Sequence, residues 1–350
     1  MREYLTSVAG NARLRQRLGK DLEDGSLSHA YIIEGPAGSG KSTLALELAM
    51  ALACQNRSSA DHALPCGRCE VCRKIAAGSS PDVIHIRREE GKATMGVDVV
   101  RALRNDVYTV PNDLSFKVYF IHDAHTMTRQ AQNAFLLTLE EPPAFVMFFL
   151  LSQDASALLE TIRSRAPVLR MQPVTEQEIE AYLLSPAREP KLLRTATALK
   201  NDTPDDFAAI LRMASGCIGS AIELLHESRK ASLLEHRAAV FGICELLAER
   251  THTDKLLSAV LAFGTSREEV VTKLTLLEMA LRDLLVLSYS DAATLVFFTS
   301  RDLASELCSR FAARRLIRII EAVRETVRSL SANGNVRLLL VQLHSKLSQS

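Results

Sequence analysis

Residues 35–42 read Gly-Pro-Ala-Gly-Ser-Gly-Lys-Ser, the spacing G-x-x-x-x-G-K-[ST] of a phosphate-binding loop. The apolar run Ala30-Tyr31-Ile32-Ile33 before it reads as a buried strand, and Thr43 to Met50 after it reads as a helix. That strand–loop–helix setting is what the motif requires. The glycines let successive backbone N–H groups face phosphate oxygens, and the helix N-terminus adds partial positive charge. The candidate nucleotide-binding residues are therefore Gly35, Gly38, Ser39, Gly40, Lys41, Ser42 and Thr43. Lys41 is expected to reach the β- and γ-phosphates of ATP, or the β-phosphate of ADP, with the Ser42 hydroxyl on Mg²⁺.

A second constellation follows. Cys54, Cys66, Cys69 and Cys72 give C-x11-C-x2-C-x2-C. Four thiolates with no histidine suit a closed, structural zinc site with no open catalytic position. Disulfides and unlinked thiols are the alternatives. The N-terminus has no signal-peptide pattern, so a cytoplasmic location is expected, where disulfides are rare. Cys217, Cys244 and Cys308 stand isolated among apolar residues and read as small core side chains.

A phosphate loop that turns nucleotide over needs a partner strand ending in acid, with an Asp for the Mg²⁺ shell and commonly a Glu for the attacking water. The candidate strand Lys117-Val118-Tyr119-Phe120-Ile121 runs into His122-Asp123-Ala124-His125. If the pair occupies 122 and 123, the metal position is His and the water position a shortened Asp. If Asp123 holds the metal, the water position is Ala124. In both registers one carboxylate is missing, and Mg²⁺ prefers oxygen to imidazole. Nucleotide binding with crippled hydrolysis is expected. His122 and His125 read as strand-end residues without an ionic role, since no third ligand is evident.

These residues need a scaffold, and the rest of the chain supplies its outline. The 350 residues are 47% hydrophobic, enough for two or three domains. No apolar run approaches a membrane span, so no membrane partner is expected. A net charge of +1, no Trp and 5% aromatic residues argue against an autonomous nucleic-acid binder with a stacking platform. Over residues 1–171 strands near 30–34, 83–87, 117–121, 146–151 and 167–171 alternate with helices near 9–23, 41–54, 67–77, 96–107 and 128–140. This predicts an α/β domain with a parallel sheet, carrying the cysteine module at 54–72. Thr128 is the expected N-cap of the last helix and Pro142-Pro143 its stop. After 171 the strands end. Thr175-Glu176-Gln177-Glu178 looks like a capping box opening an all-α segment, 172–231. A second all-α region, 232–350, shows a stripe at Leu316, Ile319, Ile320, Val323, Val327 and Leu330, a break at Asn333-Gly334-Asn335, and a last helix with Leu338, Val341 and Leu343.

The order of motifs resembles bacterial clamp-loader AAA+ subunits. Ser28-His29-Ala30-Tyr31, the phosphate loop, Pro65 to Cys72, Ser80-Pro81-Asp82-Val83 and Gly96 to Arg101 stand in the family's order. Met127 to Ala134, Thr138-Leu139-Glu140-Glu141-Pro142-Pro143 and Thr161-Ile162-Arg163-Ser164-Arg165 carry the most specific part. The likeness is strong over 5–170 and weaker beyond, where Asn333 to Leu347 resembles the family's final collar helices. The resemblance implies an AAA+ core with a zinc module, a helical lid and a helical collar. It implies gamma/tau and delta partners in a DNA polymerase III clamp loader, acting on a sliding clamp and primed DNA.

Two subunit types share the pattern, the gamma/tau motor and delta-prime. The degraded acid pair, the wording of 127–134, the absence of a tau-like tail and the lack of an Arg in Ser215-Gly216-Cys217-Ile218-Gly219-Ser220-Ala221 favour the delta-prime type. The family's Ser-Arg-Cys motif is Ser164-Arg165-Ala166 here. By resemblance Arg165 is a finger acting in trans on a neighbour's ATP; the alternative is a surface Arg in a salt bridge. Two other readings stay open: a gamma-type motor that hydrolyses ATP, and a nucleotide-binding zinc scaffold outside replication.

Overall fold

In the computed structural model the described residues are all but 1, 60, 187–188, 250–252, 332–333 and 350. They form two compact units, one of 1–182 with 216–220 and one of 183–215 with 221–350.

The first unit alternates as expected: α1 (Ala12–Asp24), β1 (Ala30–Glu34), α2 (Lys41–Ala53), α3 (Glu70–Ala76), β2 (Val83–Ile86), α4 (Val97–Val107), β3 (Lys117–Ile121), α5 (Arg129–Glu140), β4 (Val146–Ser152), α6 (Glu160–Arg163) and β5 (Val168–Arg170). The strands make one parallel sheet in the order β2-β3-β4-β1-β5. Their sequences are nearly continuous apolar runs because both faces are covered. On one face Tyr31 and Ile33 meet Leu44 and Leu48 of α2 and Ile75 of α3. On the other, Ile32 and Phe148 meet Phe135 and Leu139 of α5. β4 lies between β1 and β3, with Glu34 beside Ser152 and Ile121 beside Leu150. The C-terminal strand ends therefore line up in the crevice where open parallel sheets bind ligands.

The first turn of α5 is capped as its sequence predicts, the Thr128 hydroxyl accepting from the Ala131 N–H. At the opposite end of the sheet, Asp82 is fully buried. Its carboxylate accepts the N–H groups of Asn112, Asp113 and Leu114 and so ties the loop before β3 to the start of β2.

The capping box is present: Glu178 N–H donates to the Thr175 hydroxyl, and Thr175 N–H donates to the Glu178 carboxylate. It opens α7 (Glu176–Leu183), which is followed by α8 (Pro190–Asp202), α9 (Pro204–Met213), α10 (Ile218–Leu225), α11 (Glu227–Glu249), α12 (Thr253–Leu261), α13 (Arg267–Leu287), α14 (Arg301–Cys308), α15 (Ala313–Ser331) and α16 (Val336–Gln349). The junction expected at 231/232 lies inside α11. In the second unit α13 packs on α11, α14 and α15, and α16 packs on α12 and α15. The stripe at Leu316, Ile319, Ile320, Val323 and Leu330 is buried, as is Leu343, while Leu338 and Val341 are exposed. Asn333 of the expected break lies outside the described residues. Cys217 and Cys244 are buried as expected, whereas Cys308 is half-buried.

Candidate nucleotide site and cysteine cluster

β1 delivers the chain into the loop at Gly35, whose N–H donates to the carbonyl of Ser152 on β4. Gly38 and Gly40 take φ of 73° and 90°, the left-handed region that glycine enters without strain. α2 starts at Lys41, so Ser42 and Thr43 sit in its first turn, among N–H groups with no intrahelical partner. The Lys41 ammonium donates to the carbonyls of Gly35 and Pro36, both at 2.7 Å. Burial pulls its pKa down, and the nearby Asp123 and Cys217 oppose that. Lys41, Asp123 and Cys217 thus share one electrostatic neighbourhood, although Cys217 is far away in sequence.

Residues 216–220 fold back onto the loop. Gly219 N–H donates to the Gly38 carbonyl at 2.9 Å, and a Cβ on Gly38 would stand 2.6 Å from the Ser220 nitrogen. The stretch without an Arg is therefore a direct neighbour of the phosphate loop.

β3 ends where the acid pair was expected. Asp123 holds φ 48°, an uncommon left-handed conformation for a non-glycine residue. His122 turns to β2, its Nε2 lying 3.0 Å from Nδ1 of His85. Burial, then Arg87 and His85, lower the His122 pKa to about 4, so it is neutral at pH 7. His125 Nδ1 accepts the N–H of Gln153 at the end of β4. The two histidines are thus each engaged with a different strand rather than with one another. His85 and Gln153 were missed by the sequence reading because only the parallel register brings them here. Glu34 was missed as well, though its place directly before Gly35 was a signal. It accepts the Ala155 N–H and the Arg170 guanidinium, and these contacts, the Ala155 N–H foremost, hold its carboxyl below the usual range.

At the other end of α2, Cys54 is the helix C-cap. Cys69 caps α3, accepting the Cys72 N–H, and Cys66 accepts the N–H of Cys69 and the Asn56 amide. The sulfurs of Cys54, Cys66, Cys69 and Cys72 all lie within 4.8 Å of one another. Zinc–thiolate bonds of about 2.3 Å set tetrahedral sulfurs about 3.8 Å apart, so the cluster fits the ion. Burial pushes the Cys54 and Cys72 thiols up. At Cys66 burial is outweighed by the N–H groups of Arg68 and Cys69, and its pKa falls to about 6. Four thiolates this close repel one another, and a divalent cation relieves that repulsion. The four cysteines could bind zinc.

Arg165 follows α6. Its guanidinium donates to Glu140 at 2.9 Å and to the Thr161 carbonyl at 3.1 Å. The salt bridge weighed as its alternative role is therefore present, with the arginine side chain still 37% exposed.

Residues 10–175 match a family described as DNA polymerase III, delta subunit. The delta' subunit of Bacillus subtilis is 31% identical over 238 residues, covering 68% of this chain and 65% of that protein. The delta' subunit of Escherichia coli is 32% identical over 209 residues, covering 60% and 58%. The gamma subunit of Buchnera aphidicola is 34% identical over 181 residues, covering 52% and 48%. The chain thus spans less than two thirds of the length of these relatives.

Proposed function

Starting from the membership of residues 10–175 in the clamp-loader AAA+ family of DNA polymerase III subunits, we propose that this chain is a delta-prime-type subunit. It binds ATP or ADP, hydrolyses it poorly, and completes the nucleotide site of a neighbouring subunit through Arg165. Its assembly partners are gamma/tau and delta subunits, and through them it helps place a sliding clamp on primed DNA. The helical part from 232 onward is the proposed collar.

One observation carries this reading. A complete phosphate loop is paired with a strand end, His122-Asp123-Ala124, that carries a single carboxylate, with His122 neutral and committed to His85. A neutral imidazole does not substitute for a Mg²⁺ carboxylate. If Asp123 is the metal carboxylate instead, Ala124 stands at the water position and no base follows it. The neighbouring 216–220 segment offers no guanidinium to the γ-phosphate. The loop retains what binding needs, namely backbone N–H groups, Lys41 and a helix N-terminus.

The gamma-type motor is the second reading, favoured by the identity to a gamma subunit. The test is reconstitution. The purified chain should enter a complex with gamma/tau and delta subunits and show no ATP turnover alone. Steady turnover by the chain alone would favour the motor. Failure to co-assemble would point to a scaffold outside replication.

A further inference from the structure

Resting on the finger role proposed for Arg165, we infer that Glu140 is the residue that positions it, with α5 acting as the splint. α5 holds the finger-bearing segment at two places. Near its first turn Gln132 is 5% exposed, and its amide is fully engaged. Nε2 donates to the carbonyls of Met127 and Ala157, and Oε1 accepts the Leu159 N–H. Leu159 is the residue from which α6 starts. At its last residue α5 carries Glu140, which accepts the Arg165 guanidinium just after α6 ends.

Nothing in helix stability asks for an acid at 140. The C-terminus of a helix already carries partial negative charge, and a carboxylate there is locally unfavourable. The carboxylate and the helix end together make a cation site, and Arg165 occupies it. The Thr161 carbonyl fixes the other amino group. A half-exposed pair of this kind adds little to folding stability. Its consequence is geometric: two anchored amino groups leave the guanidinium plane set, with its remaining N–H groups open to a neighbour's phosphate. A planar fork held in one orientation has less freedom to lose when it meets that phosphate.

The experiment uses the reconstituted loader with wild-type chain or with Arg165→Ala, Glu140→Ala, Glu140→Gln or the Glu140→Ala/Arg165→Ala double variant. Single-turnover ATP hydrolysis separates the site completed by Arg165 as the phase that Arg165→Ala removes, a slowing of about 10³-fold for a lost finger. Glu140→Ala should slow that phase about tenfold, and Glu140→Gln, which keeps an acceptor oxygen, about threefold. ATP affinity, complex formation and the melting temperature (within about 3 °C) should stay as in wild type. The double variant should match Arg165→Ala, since Glu140 acts only through that residue. If Arg165→Ala equals wild type, the finger reading itself fails. If Arg165→Ala is slow while Glu140→Ala equals wild type, the finger stands and its positioning by Glu140 is overturned. A further slowing in the double variant would also overturn it, because Glu140 would then act by another route.

Discussion

The two ends of α2 differ in completeness. At its C-terminal end Cys54 joins three other cysteines and all four donor atoms converge. At its N-terminal end the cradle around Lys41 is whole, but the strand end beside it offers one carboxylate, Asp123, next to a neutral His122 turned to His85. Holding a group requires only that donors converge. Turning a group over also requires a metal carboxylate and a base at set distances, and one missing member is enough to leave a site that binds without reacting. On the proposed reading the same helix ends in a complete holding site and begins in an incomplete reacting one.

Removing a ligand at the complete end should have the largest effect. Cys72→Ser should lower zinc content from one per chain and abolish cooperative unfolding of the first unit, because structural zinc binding is coupled to folding. Metal analysis with thermal melts checks this, and a reduced, metal-free, fully folded wild-type protein would contradict it. At the other end, Lys41→Ala should weaken ATP binding by about 100-fold, on the order of 3 kcal/mol for taking one charge out of a partly buried ion pair with phosphate. Equilibrium titration should find the zinc content unchanged. That outcome separates the two ends of α2.

Asp82 offers a control at the opposite end of the sheet. Asp82→Asn should destabilise the first unit by about 2 kcal/mol, since a buried carboxylate gives up charged hydrogen bonds to three N–H groups. Burial raises its pKa, but those N–H groups outweigh burial and the net shift is downward. The stabilisation is then fully present above the unfolded value near 3.8 and is lost as pH falls through the lower folded value. The melting gap between wild type and Asp82→Asn should therefore close in acid, with zinc and nucleotide affinity per folded molecule unaltered at neutral pH. The smallest effect is expected from repair. His122→Asp with Asp123→Glu should raise hydrolysis by no more than about tenfold, short of the roughly 10²-fold of a well-placed base, because no arginine reaches the γ-phosphate from 216–220. A larger gain would mean that the acid pair alone was the defect.

Local pattern made much of this legible. The five strands appeared where apolar runs met turn residues, and α5 began at Thr128 because its hydroxyl caps the helix. The cysteine cluster was readable because most of its ligands lie within one turn of α3. What stayed hidden depends on distant pairing. His85 reaches His122 only through the β2–β3 register. Cys217 and Gly219 meet the phosphate loop across almost the whole first unit. Glu140 ends α5 and Arg165 follows α6, two pieces that Gln132 helps to align. α1 begins later than the 9–23 expectation because Gly10 and Asn11 both adopt left-handed backbone before it.

A nucleotide site that holds without reacting, as proposed, is tested most directly by one measurement. The purified, zinc-loaded chain is given Mg-ATP and primed DNA, with bound nucleotide and released phosphate followed in the same sample. The predicted result is saturable binding that Lys41→Ala severely weakens, with no phosphate release above that of the Lys41→Ala control. Steady phosphate release that depends on Lys41 would contradict it.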